Sequence, residues 1–204
     1  MYHNYYPFYG TEVLRYGLSL VTPPASEPVT LAEIKTHCRV DISTDDSYLS
    51  ALITAARNHV ENVLGRRIVT QTWDMTMDRF PLGLRDMRMP WGPWQSITSI
   101  KYVDLNGTTQ TWNPSNYNLD NASFEPRIYL SWAMIYPVPR PIQNAVTIRY
   151  VAGFTTIPEN IKHGIKMLVD HWYTNARGAT DGNKLQSTPH GFDMLIGAER
   201  QSII

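Results

Sequence analysis

The sequence predicts an α+β protein, a small bundle of three main helices with a β-rich insertion between the second and third helices. Three observations predict it. Residues 30–65 hold two capped segments whose apolar residues recur at helical spacing. Residues 68–154 carry every tryptophan except Trp172, with many Thr, Val, Ile and Tyr residues and most of the turn formers. Residues 158–178 return to helical spacing. The expected organisation is an aromatic arm over 1–17, one main domain over 18–178 and a tail over 179–204.

The arm holds Tyr2, Tyr5, Tyr6, Phe8, Tyr9 and Tyr16 without helical or strand periodicity. Tyrosine offers large contact area at low entropic cost, so the arm suits a partner surface as well as it suits a frayed terminus. Leu18 to Val21 reads as a short extended piece, and Pro23, Pro24 and Pro28 keep helix from starting early. Thr30 and Glu33 have capping-box spacing, which predicts a helix from Leu31 to about Val40 with Leu31, Ile34 and Cys38 on its apolar stripe.

Ser43, Thr44, Asp45 and Asp46 introduce a second helix that Gly65 ends, with Leu49, Leu52, Ile53, Ala56, Val60, Val63 and Leu64 as its stripe. Strands are expected at 69–77, 96–104, 127–132 and 145–151. Asn106-Gly107 between Ile100 to Val103 and Thr108 to Trp112 is the strongest hairpin signal. The proline-rich segments 81–93 and 137–141 read as loops. Pro158 fits a helix start and Gly178 a stop, with Ile161, Ile165, Leu168, Val169 and Trp172 on one face.

Eighteen basic residues balance 18 acidic ones, so no overall field draws the chain to nucleic acid or anionic lipid. The apolar runs are shorter than the roughly 18–20 residues of a membrane-spanning helix, and no membrane role is expected. Cys38 is the single cysteine and has no internal disulfide partner, which fits a reducing compartment; buried on the helix stripe, it reads as a core thiol and not a nucleophile. Phosphate-loop, dinucleotide, esterase and zincin motifs are all absent, so no catalytic activity, cofactor or metal is expected. His163 and His171 lie about 80° apart around a helix and more than two turns along it, too far for one ion. His37 and His59 are expected to meet only if the first two helices pack, and lack a third ligand. The sequons Asn106-Gly107-Thr108 and Asn121-Ala122-Ser123, without an export signal, carry no functional weight.

Two groups of residues read as contact candidates. Trp91 and Trp94, flanked by Pro90, Gly92 and Pro93, suit a loop touching another subunit. Phe192, Met194, Leu195 and Ile196 form an apolar cluster behind the polar link 180–183, which suggests a tail that docks on a partner or on a neighbouring subunit; the alternative is that it folds back onto its own subunit.

The run Leu18-Ser-Leu-Val-Thr-Pro-Pro-Ala-Ser-Glu-Pro-Val-Thr-Leu-Ala-Glu-Ile-Lys-Thr-His-Cys-Arg-Val-Asp41 resembles the head-tail connector (adaptor) family of long-tailed bacteriophages and related gene transfer agents. The likeness continues through Asp45-Asp46, Gly65-Arg66-Arg67 and Thr70-Gln71-Thr72-Trp73, then Tyr150-Val151-Ala152-Gly153-Phe154, Ile157-Pro158 and His171-Trp172-Tyr173. Pro189-His190-Gly191 to Ile196 is similar to a looser form of the family's ending. The resemblance implies a structural subunit of a ring, commonly of twelve copies, under the capsid portal. Its implied partners are further copies of itself, the portal protein and a downstream stopper or tail-terminator protein. DNA would pass through the lumen only as non-specific cargo, with Arg57, Arg66 and Arg67 as candidates to face it. The implied location is the virion neck, after assembly in the host cytoplasm. The competing reading is a non-catalytic carbohydrate- or surface-binding tail accessory protein using Trp91, Trp94, Trp112 or Trp132 as a stacking platform.

Overall fold

The computed structural model describes residues 15–83, 86–122, 126–176 and 191–200. Expectations for most of the arm, for the link at 179–190 and for Ile203 and Ile204 fall outside these residues. The chain divides into two compact units, one built from residues 15–24 and Thr70–Phe154, the other from Ala25–Val69 and Thr155–Arg200. The fold is α+β, with four helices and two antiparallel sheets among the described residues.

The β unit opens with β1 (Tyr16–Thr22), which pairs antiparallel with β2 (Gln71–Met77). This strand reaches two residues into the segment expected to be a free arm, because Tyr16 and Gly17 pair with Met77 and Thr76. The β unit is therefore assembled from two chain segments, and is not purely an insertion between helices. The remaining strands are β3 (Met87–Arg88), β4 (Trp94–Val103), β5 (Thr109–Thr111), β6 (Tyr117–Asp120), β7 (Arg127–Leu130) and β8 (Val146–Ala152). The larger sheet runs β1-β2-β8-β4-β5, and the smaller β3-β7-β6.

Period-two alternation sets the faces. Val146, Ile148, Tyr150 and Ala152 of β8 all point into the core, as do Met75 and Met77 of β2, whereas Thr147, Arg149 and Val151 lie on the other face. There Arg149 makes a two-pronged ion pair with Asp74, its register partner on β2, at 2.8 and 2.7 Å. The β4–β5 hairpin turns where Asn106-Gly107 predicts it: Gly107 has a φ of 87°, and Asp104 accepts from the amides of Asn106 and Thr108 at 2.9 Å each. An aromatic cluster of Phe80, Trp112, Tyr117 and Tyr136 fills the same core, with Phe80 and Tyr136 stacked at 5.3 Å.

The helical unit contains α1 (Leu31–Cys38), α2 (Asp46–Leu64), α3 (Glu159–Ala176) and α4 (Phe192–Gly197). On α1 the stripe is as expected, with Ile34 buried and Leu31 and Cys38 half-buried. On α2 it is rotated slightly from the expected one: Leu49, Ile53, Ala56, Val60 and Leu64 are buried, but Leu52 and Val63 are only half-buried, and Arg57 and Glu61 take the inner positions instead. Gly65 closes α2 in the left-handed conformation, φ 64°. Burial of Ile161, Ile165, Leu168 and Val169 gives α3 its core face.

The predicted capping box is complete. The Thr30 amide donates to Glu33 Oε2 at 2.7 Å, and Thr30 Oγ1 accepts from the Glu33 amide at 3.2 Å. Donation from the Thr30 amide and hydroxyl, with Lys166 nearby, holds the Glu33 carboxyl down at about 2 from an ordinary 4.5. The folded value is the lower one, so its stabilisation is complete above about pH 4.5 and is lost as pH falls toward 2. Because the pair is exposed, the expected cost of Thr30→Ala is only about 1 kcal/mol near neutral pH. Urea unfolding of wild type and variant should show that gap at about pH 7 and a clearly smaller one near pH 3.

Candidate functional site

The described residues contain no group of three or more His, Cys, Asp or Glu side chains placed to hold a metal ion, and no helix long and apolar enough to cross a membrane. His37 meets His163 edge-on at 5.9 Å, while His59 packs against Trp172 and Phe192 at 5.9 and 6.0 Å. His37, His59 and His163 thus pack as rings between helices, and His37 meets His163 and not His59. Burial first, and Asp170 second, push the Cys38 thiol up to about 11. At neutral pH it is a protonated thiol, although Cys38 is half-buried and not fully in the core as expected.

The three arginines expected to face a channel do not present free charge. Arg57, Arg66 and Arg67 are 8%, 8% and 6% exposed. Arg57 Nε donates to Glu27 Oε2 at 2.7 Å, and Thr54 Oγ1 donates to Glu27 Oε1 at 2.9 Å. Arg67 Nη1 donates to Glu61 Oε2 at 3.2 Å, with Arg57 Nη1 3.6 Å from the same oxygen. Glu61 Oε1 accepts from the Ile68 amide at 2.9 Å, so this carboxylate, 3% exposed, organises the chain where it leaves α2. Arg66 Nη1 reaches the Glu199 carbonyl at 3.3 Å and its carboxylate at 3.5 Å, tying α2's end to the residues after α4. Burial lowers the Arg66 pKa and Glu199 raises it in part. Desolvated guanidinium needs such carboxylates, which is why these arginines are structural ties within the helical unit.

The tryptophan expectation divides. Trp94 is 3% exposed, packs on Tyr150 at 5.3 Å and donates from Nε1 to the Pro90 carbonyl, so its side chain belongs to the β core. Trp91 is half-buried and meets Trp73 edge-on at 4.6 Å. Trp112 is 5% exposed among Phe80, Tyr117 and Tyr136. Trp132, in contrast, is 97% exposed. β7 ends at Leu130, two residues short of the expected strand, because Ser131 begins a turn in which the Met134 amide donates to its carbonyl at 3.1 Å. Trp132 leaves the sheet there, and Ile135 and Val138 follow it into solvent at 75% and 71% exposure. A sequence sign exists in Pro137, Pro139 and Pro141, which bar this stretch from pairing in a sheet interior.

The tail expectation is also corrected in part. Phe192 is fully buried and Ile196 1% exposed. Both pack on α3 at Gly164, where an added Cβ would lie 3.0 Å from Ile196 Cγ2 and 3.5 Å from Phe192 Cε2. Asn160 Nδ2 donates to the Leu195 carbonyl at 3.0 Å. Phe192 and Ile196 therefore fold back onto their own subunit, since α3 offers an apolar face with a glycine gap that receives them. Leu195 is half-buried, and Met194 remains 89% exposed.

Comparison with solved structures returns the same fold. A chain in the virion of a native gene transfer agent (GTA) particle matches with TM-score 0.74 and 20% identity, over 90% of this chain and 95% of that one. A chain from the neck of an empty GTA particle, computed with C6 symmetry, matches with TM-score 0.74 and 21% identity, over 91% and 95%. Another, from the neck of a native GTA particle computed with C12 symmetry, gives TM-score 0.63 at 21% identity and the same coverage. No curated protein matches the sequence at a significant level. The family described as head completion protein matches residues 27–182, which span all of α1, α2 and α3 and every strand but β1. That match covers most of the chain, and the chain belongs to the head completion protein family.

Proposed function

We propose that this protein is a neck subunit that assembles as a ring, of twelve copies in the mature particle, beneath the portal and joins head to tail. The observation that carries this reading is the family match over residues 27–182. One of the structurally similar chains comes from a neck with C12 symmetry, which supports the copy number. The partners are further copies of the chain itself, the portal protein and a downstream stopper or terminator, and DNA crosses the lumen as cargo. The ion pairs of Arg57, Arg66 and Arg67 with Glu27, Glu199 and Glu61 weigh against a part for these arginines in that passage.

Contact with neighbours falls to the loop bearing Trp132, Ile135 and Val138, which replaces Trp94 in that role. Met194 is the one member of the tail cluster exposed enough to serve as an anchor, at 89%. A carbohydrate-stacking role fits less well, since a platform needs adjacent exposed rings and Trp94 and Trp112 are in the core.

The test is electron microscopy of the protein mixed with its portal, wild type against Trp132→Ser. Wild type should give closed rings capping the portal, and the variant should lose most of that occupancy while its melting temperature stays within about 2 °C, as for an exposed side chain. A tight free dimer with two-fold symmetry, or full occupancy in the variant, would count against the ring or against Trp132 respectively.

A further inference from the structure

The larger sheet, β1-β2-β8-β4-β5, ends in two unlike strands, and among the described residues no other strand continues it past either. Neither end strand carries a charge or a proline: β1 reads Tyr-Gly-Leu-Ser-Leu-Val-Thr and β5 reads Thr-Gln-Thr. Edge strands are ordinarily guarded by lysine, proline or a covering element, because their outward amides and carbonyls template a further strand. Here the sequence adds apolar surface instead. Ile97, Tyr150, Trp73 and Leu20 are successive register partners, so a row that starts in the core runs out to Leu20, 47% exposed at the sheet's edge. Val21, at the register shift near the end of β1, is 39% exposed beside it. Trp91 stands edge-on to Trp73 at 4.6 Å, from a left-handed backbone (φ 63°) that bulky side chains rarely adopt. At the other end all three residues of β5 are exposed. The chain then enters the short turn Pro114–Asn116, where the Asn116 carbonyl accepts from the Ser131 amide at 3.0 Å, and Asn118 Nδ2 donates to Ser131 Oγ at 3.0 Å. The Trp132 loop is therefore tied to the chain that leaves β5.

We propose that each subunit's β5 edge, together with its Trp132 loop, docks on the β1 edge of the next copy, so that the sheet continues from subunit to subunit. This rests on the ring reading above and gives the Trp132 loop its receptor, Leu20 and Val21. A cyclic assembly needs two different surfaces on each subunit, and a sheet with unlike ends supplies them. Strand direction agrees. Every step from β1 through β2, β8 and β4 to β5 is antiparallel, so β1 and β5 run the same way, and neighbours related by a small rotation join them as a parallel pair. Like edges meeting, β1 on β1, would instead give an antiparallel pair with two-fold symmetry and a closed dimer. Because β5 is short, its backbone supplies few of the hydrogen bonds, and the apolar contact of Trp132 with Leu20 and Val21 supplies the rest of the affinity, as side-chain contacts do in other strand additions.

Cross-linking of the full-length protein on its portal provides the test. Leu20 and Gln110 lie on the same face of the sheet, as register partners of Trp73 and Tyr102, which both pack against the core. With Leu20→Cys and Gln110→Cys combined in a Cys38→Ala background, a short bismaleimide should give a ladder of covalent multimers beyond the dimer on a denaturing gel. Either new cysteine alone should give at least about tenfold less product, as a contact between unlike surfaces requires. Val21→Lys, which sets a charge into the edge, should cut the fraction of portals bearing rings at least about fivefold while the melting temperature stays within about 2 °C. Closed rings that yield no ladder, or that form undiminished with Val21→Lys, overturn this proposal and leave the ring reading standing. Dimers cross-linked through Leu20→Cys alone overturn it in favour of two-fold pairing of like edges. Wild-type protein that forms no ring on the portal overturns the ring reading, and this proposal with it.

Discussion

Replacing Phe192 by alanine should destabilise the helical unit by about 3–5 kcal/mol, the range for removing a fully buried aromatic ring. The ring is completely shielded, stands 6.0 Å from His59, and closes the space over Gly164 on α3. Deleting it leaves a cavity between α2, α3 and α4 that a six-residue helix, held also by the Asn160–Leu195 hydrogen bond, cannot collapse to fill. Gly164→Val should act from the other side, since even a Cβ there meets Ile196 Cγ2 at 3.0 Å and a branched side chain expels α4. Truncation after Lys184 should have a comparable effect. Urea unfolding of the free protein checks all three variants. A loss below about 1 kcal/mol for Phe192→Ala would mean that α4 is not docked in solution.

Glu61→Leu should cost a similar amount, about 3–5 kcal/mol, for a different reason. Removing this carboxylate takes from Arg67 its ion pair at 3.2 Å, from the Ile68 amide its acceptor at 2.9 Å, and from Arg57 one of its two nearby carboxylates. Arg67, 6% exposed, then loses this carboxylate from its buried surroundings, and the chain leaving α2 loses the acceptor for the Ile68 amide. The double variant Glu61→Leu with Arg67→Leu should be less damaging than Glu61→Leu alone, because it removes both charges of the buried pair together. If the double variant were the worse of the two, by the same unfolding measurement, the pair would be contributing through packing and not through charge.

Both predictions concern residues whose partners local sequence patterns do not reveal. A glutamate on a helix stripe looks solvated unless one knows that arginines 57 and 67 converge on it, and convergence depends on how the chain turns after Gly65. The tail cluster looks free because polar residues precede it, yet its receptor, the Gly164 gap on α3, lies far away in sequence. Trp91 and Trp94 share a flexible-looking proline and glycine context. Trp94 nevertheless begins β4 and points to the core, while Trp132, expected to end a strand, is the tryptophan left in water.

By itself the sequence determined what depends on neighbours within a few residues. The Thr30–Glu33 box, the Gly65 stop, the Asn106-Gly107 hairpin, the apolar stripes and the strand alternation all follow from local hydrogen bonding and from periods of 3.6 and 2 residues. The family motifs were legible for the same reason, being short runs such as Gly65-Arg66-Arg67. Only the tertiary structure decided which polar groups are inside. The tie from Arg66 to Glu199 joins residues 133 positions apart, and β1 pairs with a strand beyond both of the first two helices. Burial is a property of what packs on a side chain from elsewhere in the chain, and no local pattern encodes the identity of that neighbour.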